Sequence, residues 1–250
     1  MAELIILGTA ASVPTEDHEN THFAVVDESG AILVDCVASP KVRLAKAGIA
    51  LETVNDLILT HFHPDHVTGV PLLLMNMWLT GRRKALRVYG LHHCLKRMED
   101  MMAFYDWENW PDFFPVAFHR LPVQEQVVLI ETEEMRILSS PVRHLIPTLG
   151  LRMEDRATGS GIAYSCDTEP CPQVVRLAAG CRVLLHEATG EAPGHSSAAQ
   201  AGQIAEQARV EELLLIHYPP QSDLEALVEE AQAEFSGDAG LAQDFMRINL

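Results

Sequence analysis

Three histidines and an aspartate lie close together in the stretch LILTHFHPDHVTG, residues 57–69. The apolar residues before them predict a strand that ends near Thr60. Side chains alternate along an extended chain, so we expect His61 and His63 to leave the sheet on the same side, where both imidazoles can reach one ion. A polar loop with structural histidines is the alternative, but so many potential ligands at a strand end favour a metal site.

The same string contains a second pair of ligands. Pro64 suits the first position of a helix, and Asp65 and His66 would then point into the same crevice from the start of that helix. Two ligand pairs from one tight turn predict two adjacent divalent metals, roughly 3.5 to 4 Å apart as in dinuclear hydrolases. Four ligands do not complete two sites, so further donors must come from elsewhere.

Three candidate donors follow other apolar segments with the pattern of strands. His144 follows ILSSPVR, Asp167 follows GIAYSC, and His217 follows ELLLI. Each of them alone fits a structural role as well as a metal. Because each lies at the end of a predicted strand or just past it, we expect all three at the sheet edge that carries the first cluster. Together they complete a ligand set in which Asp167 is placed to bridge two metals.

Predicted strands and helices alternate along the chain. Strands over residues 3–7, 22–27 and 31–35 precede βα units, with a helix over 67–79 after the histidine string and a last strand near 244–248. This order of β-rich opening and βα units occurs in both halves. It predicts an α/β fold with two mixed sheets face to face and helices on the outer surfaces. No linker divides the chain, so we expect one domain over all 250 residues.

Composition narrows the classes of function. At 48% hydrophobic, the chain can bury a large core. Its formal charge of −17, from 18 basic and 35 acidic side chains, repels phosphate backbones at long range and lends no electrostatic affinity for nucleic acid, although a local basic patch stays open. The sequence has no apolar run long enough to span a membrane and no basic leader, so we expect a cytoplasmic protein. Five scattered cysteines without a CxxC argue against a disulfide framework and a zinc ribbon.

The predicted ligands, in this order, resemble those of the metallo-β-lactamase superfamily, whose members form a four-layer αββα sandwich with metals at the sheet edges. Three further strings are similar to its ribonuclease Z branch, namely LGTAASVP at 7–14, HEAT at 186–189 and GHSSA at 194–198. The resemblance extends over nearly the whole chain. It implies a metal-dependent hydrolase with two divalent ions, zinc in the first place and manganese or iron as alternatives.

The resemblance also implies a role for each residue. The first metal would be held by His61, His63 and His144, the second by Asp65, His66 and His217, with Asp167 between them. It further implies that His195 lies near the leaving group and that Glu187 is the carboxylate that orients it. His186 receives no metal role.

General chemistry agrees with these roles. Two divalent cations lower the pKa of a shared water and offset the negative charge of a phosphodiester. The leaving alkoxide needs a proton, which His195 could donate, and Glu187 would favour its imidazolium form. Asp65 could also take a proton from the attacking water. The alternative for GHSSA is a plain helix N-cap at Ser196 or Ser197, and both interpretations can hold together.

Differences between this sequence and the ribonuclease Z branch bear on the choice of substrate. Its enzymes that trim transfer RNA precursors typically carry a protruding arm between the third-histidine motif and the bridging aspartate, and the segment from His144 to Asp167 is too short for one. DCVASPK replaces a glycine-rich segment but keeps Asp35 as a partner for a metal-binding histidine. YSCDT places Cys166 beside the aspartate, where we interpret it as a buried thiol. The missing arm and the acidic charge favour a small phosphodiester over large RNA.

Other functions stay open at this point. One alternative is processing of transfer RNA 3′ ends, and another is hydrolysis of a carboxylic ester, thioester or lactone on the same scaffold. Redox chemistry at two irons is disfavoured because His63 stands where such sites have a glutamate. A non-catalytic binding protein is disfavoured because none of the expected ligands is missing.

An aromatic-rich segment, FYDWENWPDFFPVAF at 104–118, also has two interpretations. In the first, it packs onto its own core or onto the second copy in a homodimer. In the second, it forms a lid over the metals or a cage for a cationic head group, with Trp107 and Trp110 as walls. We expect the first.

Overall fold

The computed structural model describes residues 2–250. The strands in this range are β1 Glu3–Gly8, β2 His22–Asp27, β3 Gly30–Val34, β4 Val54–Ile58, β5 Leu86–Leu91, β6 Val116–Leu121, β7 Val127–Glu131, β8 Met135–Val142, β9 Thr148–Asp155, β10 Gly161–Tyr164, β11 Val183–Glu187, β12 Glu212–Ile216, β13 Asp238–Leu241 and β14 Arg247–Asn249. The helices are α1 Pro40–Lys46, α2 Pro64–Val67, α3 Val70–Leu79, α4 His92–Ala103, α5 Pro172–Ala178, α6 Ala198–Ala208 and α7 Leu224–Ala233. None of the helices in residues 2–250 is both long and apolar enough to cross a membrane.

The strands form two mixed sheets of seven strands each. The first has the order β14-β1-β2-β3-β4-β5-β6, and the second has the order β13-β12-β11-β10-β9-β8-β7. In each sheet the βα units supply a run of parallel strands, β3 to β6 and β10 to β13, while the hairpin-connected strands pair antiparallel. The predicted pair of mixed sheets is therefore confirmed.

Both sheets carry apolar residues on both faces, because each sheet packs against the other sheet on one face and against helices on the other. In β11, Val183 and Leu185 face the core between the sheets, whereas Leu184 packs in the core under α5, α6 and α7. In β1, Ile6 and Leu7 are divided in the same way between the central core and the core under the helices of the first sheet. Alternate residues thus serve different cores. Four layers result, and the predicted αββα sandwich is confirmed.

Two predicted elements differ in the structure, and one strand was not predicted. The helix expected over 67–79 is divided into α2 and α3, because the N–H of Gly69 donates to the carbonyl oxygen of Cys36 at 2.8 Å instead of to a carbonyl of the helix. Strand β13 has the short sequence DAGL, which has no strand pattern. The last strand lies at Arg247–Asn249, slightly later than expected.

The topology places the functional loops together. Parallel strands end at the same edge of a sheet, and the loops after β3, β4, β8, β10, β11 and β12 meet at one edge of the sandwich. These loops carry the predicted ligands, together with His195 and Glu187.

Candidate metal centre

The first cluster consists of three imidazoles and one carboxylate oxygen. His63 Nδ1 lies 3.1 Å from His61 Nε2 and 3.1 Å from His144 Nε2. The Oδ2 atom of Asp167 lies 3.8 Å from His61 Nε2 and 3.9 Å from His144 Nε2. Zinc–nitrogen bonds of about 2.0–2.1 Å require donors at roughly this spacing. The four side chains could therefore hold one ion.

The second cluster is formed by Asp65, His66 and His217 around the other oxygen of the same aspartate. Asp167 Oδ1 lies 3.5 Å from both His66 Nε2 and His217 Nε2. Asp65 Oδ2 lies 3.7 Å from His66 Nε2 and 3.5 Å from His217 Nε2. Each oxygen of Asp167 is thus directed at a different cluster. A carboxylate placed in this way can contact an ion in either cluster.

Unpaired atoms in the second cluster test whether the residues fit a cation. His66 Nε2, His217 Nε2 and Asp167 Oδ1 are buried, and none of them has a hydrogen-bond partner among residues 2–250. Buried polar atoms without partners are costly, and several facing one point indicate a group that pairs with all of them. Imidazole and carboxylate donors match a divalent metal. The residues therefore fit the metal that the sequence predicts.

The far nitrogens of three of these imidazoles have hydrogen-bond partners. His66 Nδ1 donates to Asp35 Oδ2 at 2.7 Å, and His217 Nδ1 lies 2.9 Å from Thr189 Oγ1. His144 Nδ1 donates to the carbonyl oxygen of Gly194 at 2.7 Å. Because Nδ1 is used in this way in these three residues, Nε2 is the atom that each has left for an ion. Of these partners only Asp35 was identified from the sequence.

Backbone geometry at three strand ends turns the chain toward this edge. Asp35, Cys166 and His217 have positive φ angles of 58°, 54° and 51°, respectively, directly after β3, at the end of β10 and directly after β12. Non-glycine residues adopt this conformation only where the surroundings hold them there. Asp35 is held by Thr60, whose backbone N–H donates to Oδ1 at 2.9 Å.

The buried titratable groups of the metal centre shift one another's pKa values. Burial, together with the nearby His66, holds the pKa of His61 well below its usual value. Burial alone would lower the pKa of His66 too, but Asp167 and Asp35 outweigh it and raise that pKa well above its usual value. Burial alone would raise the pKa of Asp167, but His217 and His66 hold it well below the usual range. Asp167 is therefore ionised, as a metal ligand must be.

His195 and Glu187 lie beside the two clusters. His195 Nδ1 donates to Glu187 Oε1 at 3.0 Å, and the His195 ring stacks on that of His217 with centroids 6.0 Å apart. Donor atoms of His195, His217 and Asp167 all lie within 4.8 Å of one another. Burial lowers the pKa of His195, but Glu187 outweighs it and the net shift is upward. An imidazolium is therefore favoured next to the clusters.

Glu187 also ties three loops together. Its Oε1 atom accepts hydrogen bonds from the backbone N–H groups of Thr168 and Ser196, and its Oε2 atom accepts one from Thr189. The expected helix cap is present at Ser197, whose side chain accepts from the N–H of Gln200 at the start of α6. The orienting role and the capping role are thus compatible, but the loop contacts of Glu187 were not foreseen.

Comparisons with known proteins agree with this geometry. The family model described as a beta-lactamase superfamily domain matches residues 31–218, most of the chain. The chain belongs to the β-lactamase superfamily. Within it, the chain is 26% identical to ribonuclease Z of Methanothermobacter thermautotrophicus over 310 aligned positions, which cover 100% of this chain and 97% of the relative. It is 30% identical to ribonuclease Z of Mycobacterium sp. (strain KMS) over 247 positions, which cover 88% and 85%.

A solved structure shows the same fold. The metallo-beta-lactamase fold protein YhfI from Bacillus subtilis superimposes with a TM-score of 0.84 at 18% identity, covering 99% of this chain and 98% of that one. Together with the two relatives, this identifies a metal-dependent hydrolase of the ribonuclease Z-like branch of the β-lactamase superfamily. The predicted family is confirmed.

This member of the superfamily is compact where an arm would emerge. Between His144 and Asp167 the structure contains only the hairpin of β9 and β10 and its connections. The alignment with the Methanothermobacter relative, at 310 positions, exceeds the 250 residues of this chain, so that relative carries residues that this chain lacks.

Two residues next to the clusters have packing roles. Cys166 is buried, and its Sγ lies 3.7 Å from Nδ1 of His61, whereas His61 Nε2 is the atom that faces His63 and Asp167. The Sγ atom also lies within 4.8 Å of donor atoms of His61 and His66. His186 is buried with Nδ1 2.8 Å from the carbonyl oxygen of Glu187, and it belongs to none of the potential metal-binding groups in residues 2–250. Both agree with the interpretation from the sequence.

The aromatic segment lies away from the sheet edge that carries the candidate ligands. It leads into the start of β6, which runs parallel to β4 and β5. The ligands His61 to His66 follow the end of β4, at the opposite edge of these parallel strands. Trp110 stacks on Trp78 with centroids 4.9 Å apart, and Trp107 packs against the core under the first sheet. The segment therefore packs onto its own core, as expected, and the alternative of a lid over the metals is wrong because the topology separates the two.

Gly194 offers a test of how the loop orients His144. It has a φ of +85°, and a Cβ atom would lie 2.8 Å from His144 Nδ1. We expect Gly194→Ala to displace the imidazole and weaken metal binding about 10- to 100-fold, as measured by competition with a chelator. Gly180 has a φ of +75° with nothing within 4 Å, so Gly180→Ala imposes the same backbone strain without the contact. Equal metal affinity in the two variants would contradict the orienting role.

Proposed function

We propose that the protein is a dinuclear phosphodiesterase that cleaves a small phosphodiester. The observation that supports this best is the placement of Asp167, with Oδ2 next to His61 and His144 and Oδ1 equidistant from His66 and His217. Two divalent ions at these positions, zinc or else manganese or iron, would supply an activated water and offset the charge of the diester.

The residues around the clusters would manage the protons. Asp65 is the partly accessible carboxylate of the site, with 15% of its side chain exposed, and it can take the proton of the attacking water. Attack at phosphorus breaks the bond to the ester oxygen on the opposite side. His195 donates a proton from Nε2 to that oxygen, while Nδ1 stays bonded to Glu187. Glu187 keeps the ring oriented and supports its charged form.

The short β9–β10 connection and the net charge support a small substrate. A connection made only of the β9–β10 hairpin offers no arm to hold a large RNA away from the metals. The formal charge of −17 opposes a long phosphate backbone more than a single phosphodiester. The alternative, processing of transfer RNA 3′ ends, is supported by the similarity to ribonuclease Z of two organisms.

A side-by-side assay tests the proposal. Metal-loaded protein is incubated with bis(p-nitrophenyl) phosphate and with a transfer RNA precursor that carries a 3′ trailer, with a chelator-treated sample as control. We expect metal-dependent turnover of the small diester and no cleavage of the precursor. Specific cleavage of the precursor would support the alternative, whereas no turnover of either substrate would contradict phosphodiester hydrolysis.

A further inference from the structure

A polar cavity of about 380 Å³ opens beside His195. Four of its lining residues have polar side chains of mixed character, namely Arg143, Glu169, Glu191 and Gln200. The rest of the lining is Pro170, Ala192, Pro193 and His195 itself. No phenylalanine, tyrosine or tryptophan lines this cavity. Its volume is at the small end of the usual range for a ligand pocket.

His195 lies between the cavity and the metal centre. This residue is within 4.8 Å of donor atoms of Asp167 and His217, and it also forms part of the cavity wall. In the proposed mechanism it protonates the leaving oxygen. The chemical group attached to that oxygen therefore extends into the cavity, which makes the cavity a subsite for the leaving alcohol.

The polar groups of the cavity are largely free to bind a ligand. Within residues 2–250 the guanidinium of Arg143 and the carboxylate of Glu191 form no hydrogen bond or ion pair. Glu169 uses one oxygen for the backbone N–H of Gly194, and Gln200 uses its amide oxygen for the N–H of Ser197. The second oxygen of Glu169 and the amide NH₂ of Gln200 remain. The cavity thus offers hydrogen-bond donors and acceptors side by side.

The loops that carry these groups are held in place. The backbone N–H of Arg143 donates to Thr168 Oγ1 at 3.2 Å, and the N–H of Glu169 donates to the carbonyl oxygen of Arg143 at 2.7 Å. Both contacts adjoin metal-centre residues, because His144 follows Arg143 and Thr168 follows Asp167. The backbones of Arg143 and Glu169 are therefore held next to the metal centre.

We propose that this cavity binds a hydroxyl-rich leaving alcohol of the glycerol or sugar class, which rests on the proposed phosphodiesterase function and names its substrate class. A hydroxyl group both donates and accepts, so it can pair with a carboxylate and a guanidinium together. A second phosphate would instead face the carboxylates of Glu169 and Glu191. An aromatic base would find no aromatic side chain except His195 on which to stack.

A matched pair of substrates tests this inference. Bis(2,3-dihydroxypropyl) phosphate carries free hydroxyl groups, and bis(2,3-dimethoxypropyl) phosphate has the same skeleton with those groups methylated. Hydrolysis by the metal-loaded protein is followed by ³¹P NMR, with bis(p-nitrophenyl) phosphate as a third substrate. We expect kcat/KM for the hydroxylated diester to exceed that for the methylated diester by about tenfold or more, as expected for lost hydrogen bonds to charged groups.

Variants locate the preference in the cavity. Arg143→Ala and Glu191→Ala should each remove most of the preference, mainly by raising KM for the hydroxylated diester, so that the ratio of kcat/KM between the hydroxylated and the methylated diester approaches one. Arg97→Ala on α4 and Glu133→Ala in the β7–β8 turn are exposed controls that should leave this ratio unchanged.

Three results would overturn the inference, and they differ in what they mean for the proposed function. Equal kcat/KM for both glycerol diesters beside normal turnover of bis(p-nitrophenyl) phosphate would reject the subsite and leave the phosphodiesterase function intact. No turnover of any of the three diesters would reject both. A preference that survives in Arg143→Ala and Glu191→Ala would also reject the assignment to this cavity.

Discussion

Replacing Asp167 with alanine is expected to empty both metal positions and to reduce phosphodiester turnover to background. Its two oxygens approach separate clusters at 3.5 to 3.9 Å, so one substitution removes a ligand from each. The remaining imidazoles would then share the site without the carboxylate that offsets a bound cation. We expect the metal-to-protein ratio, measured by mass spectrometry of metals after gel filtration, to fall from about two to well below one.

The control for this variant is another aspartate at a strand end. Asp155 lies at the end of β9, where its Oδ1 atom accepts from the N–H groups of Ala157 and Thr158. Asp155→Ala should lower the melting temperature through loss of these turn contacts, yet keep the full metal content. If Asp167→Ala retained both metals, the bridging assignment would be wrong.

Replacing His195 with alanine is expected to leave the metal content unchanged and to lower kcat by about 10²- to 10⁴-fold. The ring is held by Glu187 at 3.0 Å and stands beside the clusters, where it can reach the leaving oxygen. Because p-nitrophenolate leaves readily without a proton, the loss should be smaller for bis(p-nitrophenyl) phosphate than for a diester with an alkyl leaving group. A rate comparison between the two substrates measures this difference.

A surface histidine serves as the control. His119 on β6 is exposed and stacks on Tyr89, at 4.6 Å between ring centroids, so His119→Ala should change neither rate. Loss of metal in His195→Ala would make His195 a ligand instead, and an equal loss of rate on both diesters would contradict its role as a proton donor.

Much of the metal centre could be predicted from the sequence, because its ligands lie in short sequence patterns at the ends of strands. In the string from His61 to His66, a strand end and a helix start follow each other within a few residues, so spacing alone determines which side chains can meet. His144, Asp167 and His217 could be added because each follows an apolar strand that had to end at the same edge. The structure brings all seven ligand candidates together as two clusters around Asp167.

What the sequence did not predict depends on contacts between distant segments. The carbonyl oxygen of Gly194 orients His144 across 50 positions of the chain, and Thr189 orients His217 across 28. No local pattern encodes such pairs. The division of the helix at Gly69 has the same origin, because the carbonyl oxygen that accepts the Gly69 N–H belongs to Cys36. The position of the aromatic segment follows from strand order, which composition does not determine.

The division of the ligands between the two sheets has a consequence for biosynthesis. The donors from His61 to His66 extend from the first sheet, whereas His144, Asp167 and His217 extend from the second. During translation the first group leaves the ribosome well before the second, carrying only part of each coordination sphere. Firm retention of metal must then wait until the later half has been made and has packed against the earlier one. Metal loading would in this way mark a nascent chain whose two halves have joined.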